Sequence, residues 1–387
     1  MMIDEKSMFA NPAIGRGPVL LASALLVALS LLSCSPTFGL RIESERSDLK
    51  QAVSELADTY RGQGRAAISV SDLGPGPGHT VVTVAWRLSP ARADAAPLVN
   101  DTAPLSSRGV TSALALQRWA RTAGGWTELP LLWDAWGLWG EAADVAAAAP
   151  AGSFAWADRG ALGAKSLTLV AGGGDVGNAQ ALYWLDAAPA AGDPSRFALN
   201  RTQWGAAPAR NSFGAFAAAF GDRVLYPASQ HFGRADQENL AKQAGRRVYL
   251  LPFSAQYRWT WGGGKGFAPI AAGPPAARRI VVSVLAGRIE GGGRRDRRAA
   301  AAFLLWLLDP ARQRLLEERT GLLPVNFNAP NLNGETKALR DAALACEAID
   351  PVVPEPSDSE ATRWASLLSS IVSSPGSWES HLTESSR

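Results

Sequence analysis

The chain has 387 residues and carries 38 basic and 35 acidic side chains, so its formal net charge is only +3. Hydrophobic residues make up 47% of it and charged residues 19%, which is typical of globular cores and excludes a disordered chain. The small net charge, and the lack of a long basic stripe interleaved with aromatic residues, argue against a nucleic-acid partner.

The amino terminus has the layout of a signal peptide. A polar stretch with Lys6 and Arg16 leads into a largely apolar run over residues 19–32. This run is shorter than the about 20 residues that a transmembrane helix needs. The following Ser33 and Cys34 complete Leu-Leu-Ser-Cys, which resembles the lipobox of bacterial lipoproteins and implies cleavage before Cys34 and lipidation of its thiol. An ordinary signal peptide with a chance cysteine is the alternative.

Neither a metal site nor a catalytic site is predicted. If Cys34 is acylated, Cys346 has no partner for an intramolecular disulfide, and a small buried hydrophobe is its favoured role. The histidines His79, His231 and His381 are far apart and lack Cys, Asp or Glu at metal-ligand spacing. No paired-carboxylate or Gly-x-Ser-x-Gly signature is present. We therefore expect no cofactor and no reaction.

Strand and helix patterns alternate along the mature chain. A strand at 40–42, an amphipathic helix at 47–60 and a strand at 66–70 form a βαβ opening, and an apolar strand follows the Gly/Pro cluster 74–78 at 80–86. Further strands are predicted at 166–170, 224–226, 247–251 and 279–285, and a short helix at 142–149. This alternation predicts α/β layers.

A glycine-rich turn, Gly-Gly-Gly-Asp-Val-Gly at 172–177, follows one of these strands and precedes a predicted helix at 178–185. It formally fits the glycine pattern of a dinucleotide-binding turn. The unit lies in mid-chain of an exported protein and has no well-placed acidic residue about 20 positions on. A flexible loop is therefore the favoured interpretation.

The carboxy-terminal third is predicted to be helical. One helix covers 299–308, and a second begins at Asp309-Pro310 and stops near Thr320-Gly321, since proline favours the first helical turn and glycine the end. The stretch 337–349 also has helical periodicity. A last helix is expected from the capping box at Ser357, and the tail after Ser374 is expected to be frayed.

A basic cluster lies between the strand at 279–285 and the helix at 299–308. It consists of Arg288, Arg294, Arg295, Arg297 and Arg298. Three glycines at 291–293 favour a solvated loop, and a site for an anion or a membrane surface is the alternative.

Two segments carry a family resemblance. Residues 303–326, FLLWLLDPARQRLLEERTGLLPVN, resemble a helix, kink, helix and return strand that recur in extracellular solute-binding proteins of ABC importers, particularly the carbohydrate-binding group. Residues 129–139, LPLLWDAWGLW, resemble the strand that crosses from the first lobe to the second in that family. The resemblance implies an α/β, two-lobed, type II periplasmic-binding-protein-like fold with a ligand cleft between the lobes.

The same resemblance gives a domain layout. The signal peptide is 1–33, the first part of lobe 1 is 34–135, the first part of lobe 2 is 136–270, the return to lobe 1 is 271–325, and C-terminal helices, mainly of lobe 2, with the frayed tail are 326–387.

The function implied is that of a monomeric lipoprotein, anchored to the cell membrane and facing the periplasm or the cell exterior. It would bind a small solute, with carbohydrate favoured, and deliver it to ABC permease subunits. A lipid-anchored sensory or surface-interaction protein that keeps the fold without transport is the alternative. An enzyme on this scaffold would need a convergent acid, base and nucleophile in the cleft.

Candidate ligand contacts lie in two aromatic segments. They are Trp133, Asp134 and Trp136 on the crossing strand, and Gln256, Tyr257, Trp259 and Trp261 after the strand at 247–251. Tryptophan faces can stack on the apolar faces of a sugar ring. Burial in the core is the alternative for the aromatic residues of both groups.

Asp134 is the most informative of these residues, because a buried carboxylate between two tryptophans needs a donor such as a ligand hydroxyl or an arginine. The resemblance adds Asn178 and Gln180 as further candidate contacts, since a loop in this region of the family can approach the cleft.

Overall fold

The computed structural model describes residues 36–44, 46–70, 79–86, 121–122, 125–126, 128–172, 179, 182–183, 185, 204, 207–221, 231–255, 265–272, 279–345, 348–351 and 359–386. Several expectations fall outside these ranges: the signal peptide with Cys34, the glycine cluster 74–78, residues 173–178 of the glycine-rich turn, Gln180, the strand at 224–226, the aromatic segment 256–261, Cys346 and the capping box at Ser357.

The strands, in chain order, are β1 (Thr37–Glu43), β2 (Ala67–Val70), β3 (Val81–Trp86), β4 (Arg121–Thr122), β5 (Gly125–Trp126), β6 (Glu128–Glu141), β7 (Phe154–Ala155), β8 (Thr168–Val170), β9 (Arg247–Pro252), β10 (Lys265–Ala272), β11 (Arg279–Glu290), β12 (Leu323–Pro324) and β13 (Ala348–Pro351).

The α-helices are α1 (Ser47–Gly62), α2 (Ala142–Ala148), α3 (Ala207–Gly221), α4 (Arg234–Ala241), α5 (Arg294–Leu307), α6 (Pro310–Thr320), α7 (Gly334–Ala345), α8 (Ser359–Ser373) and α9 (Trp378–Ser386). Two 3-10 helices cover Trp156–Lys165 and Pro375–Ser377. None of the helices within the described ranges is long and apolar enough to cross a membrane.

The first sheet confirms the predicted βαβ opening. β1 pairs in parallel with β2 on one side and with β3 on the other. β3 then pairs antiparallel with β11, which pairs antiparallel with the first half of β6. Alternate residues of β1 are buried, as expected for a sheet with one face on the core.

The strand β6 belongs to two sheets. Up to Asp134 it pairs with β11, and from Trp136 onward it pairs with β9, while β10 flanks its last five residues on the other side. β8 completes the second sheet in parallel with β9. The predicted crossing strand is therefore present, and the molecule has the predicted mixed α/β class.

Two hydrophobic cores lie on these sheets. The first is built from β1, β3, β11 and the first half of β6 with α1, α5 and α6, and it extends to one face of β9. The second joins the end of β6, β8, β9 and β10 to α2, α3 and α8. Eight of the described tryptophans are buried, so thick cores account for much of the tryptophan content.

The segment at 303–326 has the predicted order of elements. Asp309 caps α6 by accepting a hydrogen bond from the Ala311 N–H at 3.1 Å, and Pro310 fills the first helical position. Gly321 ends α6 with a φ of 68°, a left-handed conformation that favours glycine. β12 then returns antiparallel to β6. Local capping signals therefore define this segment.

Three parts of the carboxy-terminal region differ from the expectation. α5 begins at Arg294, so four of the clustered arginines lie on a helix and not in a loop. Ile349, expected in a helix, lies in β13, which pairs in parallel with β11. The tail is not frayed: α9 packs against α3 and α8, with Leu382 buried. In each case contacts distant in sequence determine the local structure.

A buried polar cluster holds the turn after α6. Gln313 donates to the Leu307 carbonyl and accepts from the Val325 N–H, both at 3.0 Å. Arg340 on α7 donates to the Ala329 carbonyl at 2.7 Å and to the Asn326 carbonyl at 3.2 Å. These bonds tie α5, α6, β12 and α7 into one unit.

Glu317 in this cluster should make stability depend on pH. Burial raises its pKa to about 7, while contact with the Thr336 hydroxyl and the charges of Arg314 and Arg340 act in the opposite direction. Because the folded state binds the proton more tightly than the unfolded state, the contribution to stability is complete below about pH 4.5 and is lost as the pH rises through 7.

We predict that Glu317→Gln, which mimics the protonated acid, matches the natural chain near pH 4.5 and exceeds its free energy of unfolding at pH 8 by roughly 1–3 kcal/mol. Urea unfolding at both pH values measures this difference. The control Glu318→Gln, at the neighbouring surface position, should keep the pH dependence of the natural chain. Parallel pH profiles for Glu317→Gln and the natural chain would contradict the assignment.

Gly137 is required where β6 pairs with β10, because the neighbouring strand leaves no room for a side chain. A Cβ atom built on it would lie 2.3 Å from the Phe267 ring and 2.4 Å from the Ala268 carbonyl oxygen. We predict that Gly137→Ala lowers the free energy of unfolding by about 2 kcal/mol or more, because the backbone of β10 cannot move aside cheaply. Thermal or urea unfolding tests this, with Gly62→Ala as control, since a Cβ at Gly62 meets nothing within 4 Å.

Candidate functional site

The carboxyl ends of the parallel strands in the two sheets meet at one point. Ser44 and Arg46 follow β1 in the first sheet, and Phe253 and Ser254 follow β9 in the second. The Arg46 guanidinium donates through Nη1 to the Ser254 hydroxyl at 3.0 Å. In α/β proteins ligands bind in the crevice outside the carboxyl ends of the strands. This junction is therefore the candidate ligand cleft.

Asp134 lies where β6 passes from one sheet to the other. Its carboxylate accepts from the Ser254 backbone N–H at 3.0 Å and from the Ser254 hydroxyl at 2.5 Å, and the residue is 3% exposed. Next to it, the Ala135 carbonyl accepts from the Phe253 N–H at 2.7 Å. A serine that follows β9 thus donates to the buried carboxylate, where the sequence suggested a ligand hydroxyl or an arginine.

The sequence did not identify Ser254 as a site residue, and it did not identify Arg46 either. Arg46 is 7% exposed, and its Nε and Nη2 donate to the two carboxylate oxygens of Asp48 at 3.2 and 2.6 Å. Nη2 also donates to the Thr320 carbonyl at 2.5 Å. A cation at a helix start is disfavoured by the helix dipole, and that local conflict is the one signal that could have identified it.

The two tryptophans of the crossing strand are buried. Trp133 is 0% exposed and donates through Nε1 to the Pro324 carbonyl at 2.9 Å. Trp136 is 2% exposed and donates to the Ser283 hydroxyl at 2.9 Å. Both indoles brace β6 against its neighbours, as the core interpretation requires. Contact with a ligand stays a prediction for them and for Asp134.

The second aromatic group lies beyond the described residues. The described chain stops at Ala255, and Gln256, Tyr257, Trp259 and Trp261 follow it in sequence. In sequence, the segment that carries them begins two residues after Ser254. Asn178 and Gln180 also lie outside the described residues. All six stay predicted contacts.

An aromatic cluster supports the second-sheet side of the cleft. Phe253 lies 5.2 Å from Phe267 between ring centroids, in a T-shaped arrangement, and Trp139 lies 5.0 Å from Phe267. Trp139 also donates through Nε1 to the Pro252 carbonyl at 3.2 Å. Because these rings fill the space behind the backbone of Phe253, the position of Ser254 is well defined.

Among the described ranges of the chain, no group of three or more His, Cys, Asp or Glu residues is placed to hold a metal ion. The described side chains at the junction are a serine, an arginine paired with an aspartate, and a buried carboxylate. They can donate and accept hydrogen bonds beside a neutral or polar solute.

Solved structures share this fold across nearly the whole chain. The bacterial solute receptor AcbH, described as having an exclusive preference for β-D-galactopyranose, has a TM-score of 0.66 at 12% identity, covering 92% of this chain and 97% of its own. A chitin oligosaccharide binding protein has a TM-score of 0.61 at 12% identity, covering 91% and 97%.

A probable secreted solute-binding lipoprotein from Streptomyces coelicolor has a TM-score of 0.60 at 14% identity, covering 91% of this chain and 99% of its own. No protein-family model matches the chain, and no curated protein matches it in sequence. The similarity establishes the type II periplasmic-binding-protein-like fold.

We predict that Ser254→Ala lowers the free energy of unfolding by about 1–3 kcal/mol, because the buried Asp134 carboxylate and the Arg46 guanidinium each lose a hydrogen bond. Urea unfolding measures the loss. Ser369→Ala, at an exposed position on α8, is the control and should change stability by less than about 0.5 kcal/mol. Equal stabilities for both variants would show that the hydroxyl does not hold the two sheets together.

Proposed function

We propose that this chain is an extracytoplasmic solute-binding lipoprotein that delivers a small solute, with carbohydrate favoured, to the permease of an ABC importer. The observation that carries the proposal is that the carboxyl ends of the strands in the two sheets meet at Arg46 and Ser254. The proteins that share this fold are named as solute receptors or oligosaccharide binding proteins. In such a two-lobed protein the ligand is trapped as the lobes close.

Carbohydrate is favoured for two reasons. Several structural neighbours are named for sugars: chitin oligosaccharides, β-D-galactopyranose and maltose. In addition, the segment that follows Ser254 in sequence carries Tyr257, Trp259 and Trp261, which suit stacking on sugar rings. The neighbours are binding proteins, and the proposal therefore includes no reaction. Their names also favour transport over the sensory or surface-interaction alternative.

The anchor is the Cys34 thiol, acylated after cleavage of residues 1–33. The lipobox-like sequence supports it, and one structural neighbour is itself named a secreted lipoprotein. Lipidation at this position would attach the chain to the membrane just before β1 begins.

We predict that the soluble chain starting at Ser35 binds one class of sugar saturably. Binding to the native state alone raises the free energy of unfolding by about 2.7 kcal/mol at a ligand concentration one hundred times the dissociation constant. A thermal-shift screen against mono- and oligosaccharides, polyols, amino acids and anions identifies the ligand, and calorimetry then gives the dissociation constant.

Trp259→Ala should weaken that binding by roughly tenfold or more while leaving the melting temperature of the free protein within about 2 °C. The control Trp378→Ala, on α9 where the indole packs against Gly214 of α3, should leave the dissociation constant unchanged. A folded chain that binds nothing in the screen would refute the importer function and favour the sensory alternative.

A further inference from the structure

A strongly basic surface lies at the first turn of α5. Arg294, Arg295 and Arg298 are exposed, and their spacing of three and four residues places them on one side of the helix. Cations at a helix amino terminus are disfavoured by the helix dipole, so helix stability does not explain them. We call these three residues, together with the exposed Arg65 before β2, the basic edge.

The basic edge surrounds the place where the described chain begins. The Thr37 N–H donates to the Asp296 carboxylate at 3.1 Å, which fixes the start of β1 against the first turn of α5. The Ala67 N–H donates to the Pro36 carbonyl at 3.0 Å, which brings the start of β2, and Arg65 just before it, to the same edge.

The proposed anchor lies very close to this edge. Cys34 precedes Thr37 by three positions, and an extended chain of that length spans at most about 11 Å. With the Cys34 lipid inserted in the bilayer, the basic edge would stay within roughly one to one and a half Debye lengths of the headgroups at physiological ionic strength. At that range its charges are only partly screened.

The cleft lies at the other end of the first sheet. β1, β2 and β3 all begin at the basic edge, while Ser44 and Arg46 lie beyond the carboxyl end of β1. The seven residues of β1 separate the two ends by about 20 Å. A membrane on the basic edge would therefore leave the cleft facing away from the bilayer.

We propose that, while the protein is not engaged with a permease, the basic edge docks on anionic phospholipid headgroups of the membrane that holds the Cys34 anchor, with the cleft turned away from the bilayer. This inference rests on the lipoprotein function proposed above. Clustered arginines next to a membrane attachment point bind anionic headgroups through their combined charge, and this binding weakens as salt is added.

The test uses the soluble chain from Ser35 onward, which lacks the anchor. It measures sedimentation with vesicles of phosphatidylcholine alone or of equal parts phosphatidylcholine and phosphatidylglycerol. The natural chain should bind the anionic vesicles at least about tenfold more tightly than the neutral ones, and less tightly in high salt. The variant Arg294→Gln/Arg295→Gln/Arg298→Gln should lose at least about tenfold of that affinity.

The control variant Arg210→Gln/Lys242→Gln/Arg363→Gln removes the same number of charges from α3, from the residue after α4 and from α8. It should keep most of the affinity for anionic vesicles. Equal losses of affinity in both variants would mean that the vesicles sense only the net charge of the protein, and this would overturn docking through the basic edge. Equal affinities of the natural chain for anionic and neutral vesicles would overturn it as well. Release from the vesicles by millimolar inorganic phosphate at constant ionic strength would indicate a free-anion site instead.

Failure of the anchor is measured separately. The intact mass of the protein extracted from membranes of an expressing bacterium shows whether Cys34 is acylated, and the sugar screen shows whether the cleft binds. Acylation and sugar binding without a preference for anionic vesicles would refute docking alone.

Discussion

The arrangement of the whole molecule depends on the single strand β6, which carries the chain from one sheet into the other. Its pairing changes partner between Asp134 and Trp136, so the register of both sheets is set by one continuous backbone. A carboxylate buried at this point would be costly by itself. The Ser254 N–H and hydroxyl satisfy it, and the hydroxyl in turn accepts from Arg46.

This connected set of hydrogen bonds joins the two sheets at their carboxyl edges. The bond from Arg46 to Ser254 joins groups on the two sheets, so separating the carboxyl edges must break or lengthen it. A ligand can favour the closed arrangement only by as much as its affinities for the two arrangements differ. In the proposed solute-binding function, this polar bridge would therefore contribute to the free-energy difference between the two arrangements.

The sequence correctly predicted the helices and strands whose ends are determined by local signals. The capping residues Asp309 and Gly321 and the apolar run of β6 defined their elements correctly. Arg46 could not be assigned, because its partners Ser254 and Thr320 lie 208 and 274 positions away. α9 was missed for a related reason: a nine-residue helix is marginal alone and is stabilised here by packing on α3. The sequence indicated that a buried Asp134 carboxylate needs a hydrogen-bond donor. In the structure, Ser254 of the same chain donates to it.

The topology itself relates the anchor to the cleft. Since β1 is the first strand of the described fold and runs parallel to β2 and β3, the chain enters at the amino edge of the sheet, whereas ligand crevices lie outside the carboxyl edge. A lipid on Cys34, as proposed above, would therefore be attached at the end of this sheet opposite to the candidate cleft. Because a tether of a few residues permits tilting, the proposed docking of the basic edge would fix this orientation only while the protein is away from a permease.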